Sequence, residues 1–325
     1  MEKVEPRSVE SNESSGRIEQ AVLENGVLRV TVLPSLGGKI ASIQIVSSGE
    51  ELLQQPLRPY APRVPYMRFD ESDASGWDEC LPSVAACEVQ TASGKVSVPD
   101  HGDFWQVPWQ TLSRSGTELE MSADGFSLRL RFSKTLRLDG DCLHVAYRIQ
   151  NLSKESVEYI WSAHPLFAVE PGDRILLPDS VREVTVEGTA ENRLGRRGAK
   201  QPWPETKLAN QEIIDLSVAG RITDRTGDKL FAQSPQEGWC AIERKRLKCR
   251  IELHFDPKDL PVLGLWICYG GWPEGGVNRQ QCVAPEPCTA MGDSLATVMT
   301  QGGARKLEPQ AQDHWALELR VGSVL

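Results

Sequence analysis

A single carboxylate is held between two prolines near the C-terminus, in Ala284-Pro-Glu286-Pro-Cys-Thr-Ala-Met-Gly-Asp293-Ser-Leu295. Prolines fix the local φ and remove backbone donors, so Glu286 is expected in a rigid loop between strands, outside any helix or central strand. A rigid mount suits a general base, although a lone glutamate in such a place is more often a solvent-exposed turn residue. Two histidines in unusual settings favour the chemical reading. His101 stands in Val98-Pro-Asp100-His101-Gly102-Asp103-Phe104-Trp105. Glycine there lets a ligand approach the backbone, and Trp105 offers a flat face for the apolar side of a sugar. His164, in Tyr159-Ile-Trp-Ser-Ala-His164-Pro-Leu-Phe167, ends a strand at Pro165 on an aromatic wall. Desolvation there lowers its pKa and fits it to act as acid or base near neutrality.

Gly76-Trp77-Asp78-Glu79-Cys80-Leu-Pro82 adds two adjacent acids beside a tryptophan, downstream of the basic Arg63-Val-Pro-Tyr66-Met-Arg68. On an irregular stretch, one acid is expected to bond backbone and the other to face a cleft. His101, Asp103 and His164 are metal-ligand types, but no short-range ligand pair supports them and no metal is expected. The eight cysteines include no Cys-x-x-Cys pair, so buried, reduced thiols are expected. Gly292-Asp-Ser-Leu295 matches a lipase/esterase signature in letters only, because it lies C-terminal in a strand-rich chain and no Asp-x-x-His follows. Glycine motifs for phosphates or dinucleotides are missing.

Strands must carry these residues. Period-two alternation recurs in Val27–Leu33, Lys39–Val46, Phe126–Ser133, Cys142–Ile149, Leu247–Phe255 and His314–Val321. Each puts apolar side chains on one face, as half-buried antiparallel strands require. Turn sequences such as Glu24-Asn-Gly26 and Leu138-Asp-Gly-Asp141 separate them. Helical patterning is confined to a turn or two at Glu50–Gln55, before Pro56. The pattern predicts a large β-sandwich, with residues 187–215 as a long excursion. Residues 1–16 read as a disordered polar leader without a signal-peptide core, and residues 17–325 as one domain. The chain has 325 residues, 40% hydrophobic, 25% charged, with net charge −9. That balance argues against nucleic acid and anionic membranes, and no apolar run is long enough to span a bilayer.

The order of motifs resembles the aldose 1-epimerase (galactose mutarotase-like) superfamily over about residues 20–322. Leu36-Gly-Gly38-Lys-Ile-Ala-Ser-Ile43 resembles its glycine-bearing second strand, and His101-Gly102 its first His-Gly. His164-Pro165 resembles its second histidine, and Glu286-Pro followed by Asp293 its catalytic glutamate loop. The resemblance implies an all-β, antiparallel β-supersandwich that interconverts sugar anomers. Glu286 would take the proton of the anomeric hydroxyl while His164 protonates the ring oxygen. His101, Asp78, Glu79, Trp105 and Arg68 would bind substrate, with no cofactor and no metal. It also implies a monosaccharide or sugar derivative as partner, a cytoplasmic location, and a monomer or weak homodimer. This chain departs from the family by having Phe104-Trp105 where other members carry an arginine, and by lacking an obvious counterpart of a sugar-binding aspartate. Two rivals therefore stand beside this expectation. One is a non-catalytic carbohydrate-binding protein. The other is a lyase or hydrolase of an acidic or phosphorylated saccharide, with Lys39, Arg63 and Arg68 forming a basic cleft.

Overall fold

The computed structural model describes residues 18–233 and 235–323. The expected polar leader, residues 1–16, lies outside them. Alternating segments become strands at Leu28–Leu33, Lys39–Ile45, Cys142–Asn151, Cys249–Phe255 and Gln312–Ser323. The Phe126–Ser133 pattern pairs only from Leu130 onward, because the Asp103 carboxylate captures the Ser127 backbone N–H and hydroxyl at 2.9 Å each. The helical turn expected at Glu50–Gln55 is not formed, and Glu50–Glu51 instead pairs with the Lys39–Ile45 strand. Glu51 accepts from the backbone N–H groups of Ile43 and Leu53 and from the Ser42 hydroxyl, which holds its own segment extended against that strand.

Among the described residues the strands form a twelve-stranded sheet, an eight-stranded sheet and three two-stranded pairs. The large sheet runs Ala21–Glu24, Leu28–Leu33, Lys39–Ile45, Trp77–Cys80, Ser162–Pro165, Gln281–Cys288, Val262–Tyr269, Thr226–Gln233, Glu183–Thr189 and Lys200–Pro202, with Glu50–Glu51 added beside Lys39–Ile45 and Phe167–Ala168 beside Gln281–Cys288. Every pairing within it is antiparallel. The eight-stranded sheet runs Arg174–Leu176, Trp239–Arg244, Cys249–Phe255, Gln312–Ser323, Cys142–Asn151, Leu130–Asp139, Glu118–Asp124 and Gln110–Arg114. The expected excursion at residues 187–215 is partly structural: Lys200–Pro202 closes one edge of the large sheet, and Glu205–Lys207 pairs with Ile213–Asp215.

Alternation gives the large sheet two different faces. Leu263, Leu265, Ile267, Val283, Leu230, Ala163 and Trp77 point into the hydrophobic cluster shared with the eight-stranded sheet. Their strand neighbours Trp266, Cys268, Lys229, Glu286, His164 and Asp78 occupy the opposite face. One charge breaks this division. Glu79 lies between the sheets, fully buried, and accepts from Lys134 Nζ and Tyr147 Oη at 3.1 Å and from Trp161 Nε1 at 3.2 Å. Burial pushes the Glu79 carboxyl up, against the pull of Lys134 and the two other donors. Such an ion pair costs desolvation on both sides, and removing one partner leaves the other charge uncompensated. Lys134→Met should therefore lower the unfolding free energy by about 3–5 kcal/mol in urea titrations. Adding Glu79→Gln to that variant should recover part of the loss.

Candidate active site

Glu286 lies in a central strand, not in the loop expected from its prolines. The Gln281–Cys288 strand pairs along its whole length with Val262–Tyr269, with Leu263 opposite Pro287, Gly264 opposite Glu286 and Leu265 opposite Pro285. On its other flank it pairs only at Cys288, with Ser162, and at Val283 and Cys282, with Phe167 and Ala168. The two prolines fall in the gap between these contacts, where no ladder donor is required, and this is why a central strand tolerates them. The register is the same on either side of the gap. Continued across it, that register sets His164 directly opposite Glu286, and His164 Nε2 lies 3.8 Å from Glu286 Oε1.

His101 reaches the same place from a loop. Its backbone φ is +57°, and its N–H donates to the Val84 carbonyl at 2.6 Å. Gly102, at φ +73°, lies against the Leu81 backbone so closely that a Cβ would strike the Leu81 carbonyl. The Asp100 carboxylate meets His101 Nδ1 at 2.9 Å, and the Phe69 ring stacks on the imidazole at 4.0 Å. The rings of His101 and His164 then stand edge to face, 5.2 Å apart.

Behind these loops sits a closed ionic quartet. Lys39 Nζ lies 2.9 Å from Asp73 and 2.6 Å from Asp78, while Arg63 lies 2.7 Å from Asp73 and 3.2 Å from Asp78. Arg63 also donates to the carbonyls of Trp105 and Leu36, joining the His101 loop to the turn between the Leu28–Leu33 and Lys39–Ile45 strands. Asp73 is held well below the usual carboxylate value: burial opposes ionisation, but Lys39 and Arg63 outweigh it.

A cavity of about 300 Å³ lies over this face, with His101, His164, Glu286, Lys229, Asp293, Trp266 and Trp272 in its lining. Lys229 Nζ bonds Glu286 Oε2, which also accepts from Ser162 Oγ at 3.2 Å, and lies 3.6 Å from Asp293. Glu286 Oε1 and His164 Nδ1 are buried without a hydrogen-bond partner among the described residues. Burial pushes the Glu286 carboxyl up, with Lys229 opposing it. Burial, with the neighbouring charges of His101, Lys229 and Lys39, pushes His164 well below the ordinary histidine value. Burial thus raises the proton affinity of the carboxyl and lowers that of the imidazole, and at 3.8 Å no hydrogen bond joins the two groups directly. Lys229, though buried, is held firmly protonated by Asp293 and Glu286.

Glu286, His164, His101 and Arg68 thus meet at one cavity, with Arg68 at its exposed mouth paired to Asp70. Asp78, Glu79 and Trp105 do not line it. Trp77–Cys80 is a regular strand rather than an irregular stretch, so its two acids point to opposite faces, Asp78 into the quartet and Glu79 into the core. Trp105 is fully buried beneath Arg63, its Nε1 donating to the Asp100 carbonyl at 2.8 Å. Lys39 and Arg63 are consumed by Asp73 and Asp78, so the expected basic cleft is not built from them. Trp266, Trp272, Lys229 and Asp100 were missed as lining residues. The sign at Lys229 was a lone cation entering the apolar run Leu230-Phe-Ala232; its place became readable only once Lys229 was paired with Trp266. In Gly292-Asp-Ser-Leu295, Ser294 caps the short helix Leu295–Thr300 while Asp293 turns to the cavity.

Residues 87–253 match the family model described as Aldose 1-epimerase. No curated protein matches the chain in sequence. Among solved structures, the Slr1438 protein of Synechocystis sp. PCC 6803 superposes with a TM-score of 0.71 at 14% identity, covering 97% of this chain and 100% of its own. A galactose mutarotase related enzyme from Lactobacillus acidophilus gives 0.69 at 14% identity, over 94% and 98% of the two chains. A galactose mutarotase-like protein from Lactobacillus casei gives 0.67 at 16%, over 94% and 100%. At such identities the likeness is one of fold, and it agrees with the all-β architecture expected from the alternation.

Gly102→Ala should lose stability beyond the roughly 1–2 kcal/mol of a left-handed backbone, because the new Cβ meets the Leu81 carbonyl. Gly140→Ala, at φ +58° with open space around it, supplies the backbone cost alone. Urea unfolding of both variants measures the difference.

Proposed function

The chain belongs to the aldose 1-epimerase family, and from that premise we propose that it interconverts the anomers of a neutral monosaccharide by acid–base ring opening. The observation that carries this reading is the His164–Glu286 pair, opposed across an interrupted ladder on the floor of a cavity. The two oxygens of a hemiacetal share one carbon, so a donor and an acceptor side by side can serve both. Glu286 Oε1 takes the proton of the anomeric hydroxyl while His164, in its imidazolium form, gives one to the ring oxygen and is left as neutral imidazole. The bond from C1 to the ring oxygen breaks and C1 becomes an aldehyde. Rotation about C1–C2 and reclosure, with the two roles exchanged, yields the other anomer. Ser162 and Lys229 hold Glu286 Oε2 and so aim Oε1. His101, carried by Asp100 and Phe69, is placed to bond a sugar oxygen.

Lining charge supports a neutral substrate. Asp70, Asp100, Glu286 and Asp293 face Arg68 and Lys229, so carboxylates outnumber cations and an acidic or phosphorylated saccharide is disfavoured. The volume lies at the low end of the roughly 300–1,000 Å³ of ligand pockets, which suits one sugar ring. Trp266 and Trp272 offer apolar faces in place of Trp105. The reading takes residues 17–325 as one β-supersandwich domain, supported by a hydrophobic cluster drawn from both sheets. Among the described residues no helix is long and apolar enough to cross a membrane. A cytoplasmic location belongs to the proposal, supported by eight cysteines that stand free of disulfides. The rival, a non-catalytic sugar binder, draws on Lys229, which occupies one oxygen of the proposed base.

Glu286→Gln should slow anomer exchange, followed by NMR on a panel of aldoses, by about 10²–10⁴-fold. Undiminished exchange in the variant would sink the assignment. Sugar binding by the unaltered protein with no exchange of any bound sugar would establish the non-catalytic reading instead.

A further inference from the structure

We propose that Cys80, His101 and His164 form a three-ligand site for a thiophilic divalent cation, with zinc as the probe ion. One donor atom from each residue lies within 4.8 Å of the others. Cys80 and His164 come from neighbouring strands, with Cys80 opposite Ser162 and Asp78 opposite His164, so both project from the cavity face of the sheet. His101 approaches from the loop above. Asp103, the third ligand type noted in sequence, is turned away to Ser127, and Cys80 takes that corner instead.

The donor set selects the ion. A thiolate with two imidazoles suits zinc and its neighbours, not magnesium or calcium. Three protein ligands would leave a fourth tetrahedral position, as in open zinc sites, and two of them, His101 and His164, line the cavity. The Asp100 carboxylate on His101 Nδ1 is the kind of outer partner that fixes a ligating imidazole and leaves Nε2 as the donor. His164 Nδ1 is buried without a partner among the described residues, so coordination would satisfy a polar atom that is otherwise orphaned. Bonds of about 2.0–2.3 Å draw tetrahedral donors to roughly 3.5 Å apart, so no pair would need to close by more than about 1.3 Å on binding. Cys80 gives up its thiol proton to solvent when it ligates, and the bound ion displaces His164 from its proton-transfer role. The site stands on its own geometry and does not depend on the sugar chemistry.

A second cluster, Cys142, His144 and Glu318, lies on the eight-stranded sheet and is the competitor to exclude. The full chain, stripped with a chelator, is titrated with zinc against a chromogenic zinc indicator, and separately with cobalt by absorption spectroscopy. Expected are one tight equivalent and a thiolate-to-cobalt charge-transfer band. Cys80→Ser should abolish the band and weaken zinc binding at least about 100-fold, and His101→Ala should weaken it comparably, while Cys142→Ser changes neither. Thermal melts followed by circular dichroism check that the variants fold. If Cys80→Ser does not fold, His101→Ala decides, because its side chain is partly exposed. Absence of tight binding, full binding in His101→Ala, or loss of the band in Cys142→Ser with its retention in Cys80→Ser overturns the proposal.

Discussion

An antiparallel ladder needs an N–H donor at every second residue, and Pro285 and Pro287 provide none. The Gln281–Cys288 strand therefore completes its ladder on one side only, and on the other it is bonded at its two ends. Pairing at Ser162–Cys288 and at Phe167–Val283 keeps the strands in step, so the stretch between them is aligned without being bonded. His164 and Glu286 face each other there with their alignment inherited from backbone geometry, not from contact between the side chains. A loop-mounted carboxylate would lack that indexing. The same prolines that argue against a strand are what make this strand useful.

Buried charge in the molecule is of two kinds, and residue type does not tell them apart. Asp73, Asp78, Lys39 and Arg63 close on one another, and Glu79 has each of its oxygens engaged, one by Lys134 and Tyr147 of the eight-stranded sheet and the other by Trp161, just before the Ser162–Pro165 strand. These groups are stabilising only as complete sets, and they hold the loops and the sheets in place. Glu286 is incompletely satisfied: one oxygen is fixed by Lys229 and Ser162, while the other has no partner among the described residues. Asp103 is left half-satisfied in the same way, one oxygen held by Ser127 and the other unpartnered, but it faces away from the cavity that Glu286 lines.

Alternation in the sequence made the strands legible, because the two periodic faces differ in polarity along most of the chain. Glu286, His101 and His164 were legible because proline and glycine beside a titratable group interrupt that pattern. Asp78 and Glu79 were not: two acids in succession read as a loop, since sequence cannot show that a buried cation waits on each face. Trp105 was misplaced for a related reason. Its loop is drawn inward by Arg63, which lies more than forty residues away and meets it at 2.5 Å. Lys229 and Trp272 depend on which strands and loops are neighbours, a property of topology that spacing along the chain does not carry. Family resemblance pointed to the same fold as the alternation, and one departure from it, Phe104-Trp105, contains the misplaced Trp105.

The opposed orientation of Asp78 and Glu79 also bears on how the sheet finds its pairing. A slip of one residue in the Trp77–Cys80 strand would turn Asp78 into the hydrophobic interior and Glu79 toward the quartet. Each carboxylate would then be stranded from its cations, and two desolvated ions would be unmatched at once. Adjacent acids on a short strand thus act as a proofreading device, penalising misaligned intermediates more steeply than apolar side chains could. Because Asp78 stands opposite His164, the register that satisfies the two carboxylates is also the one that turns His164 to the cavity face.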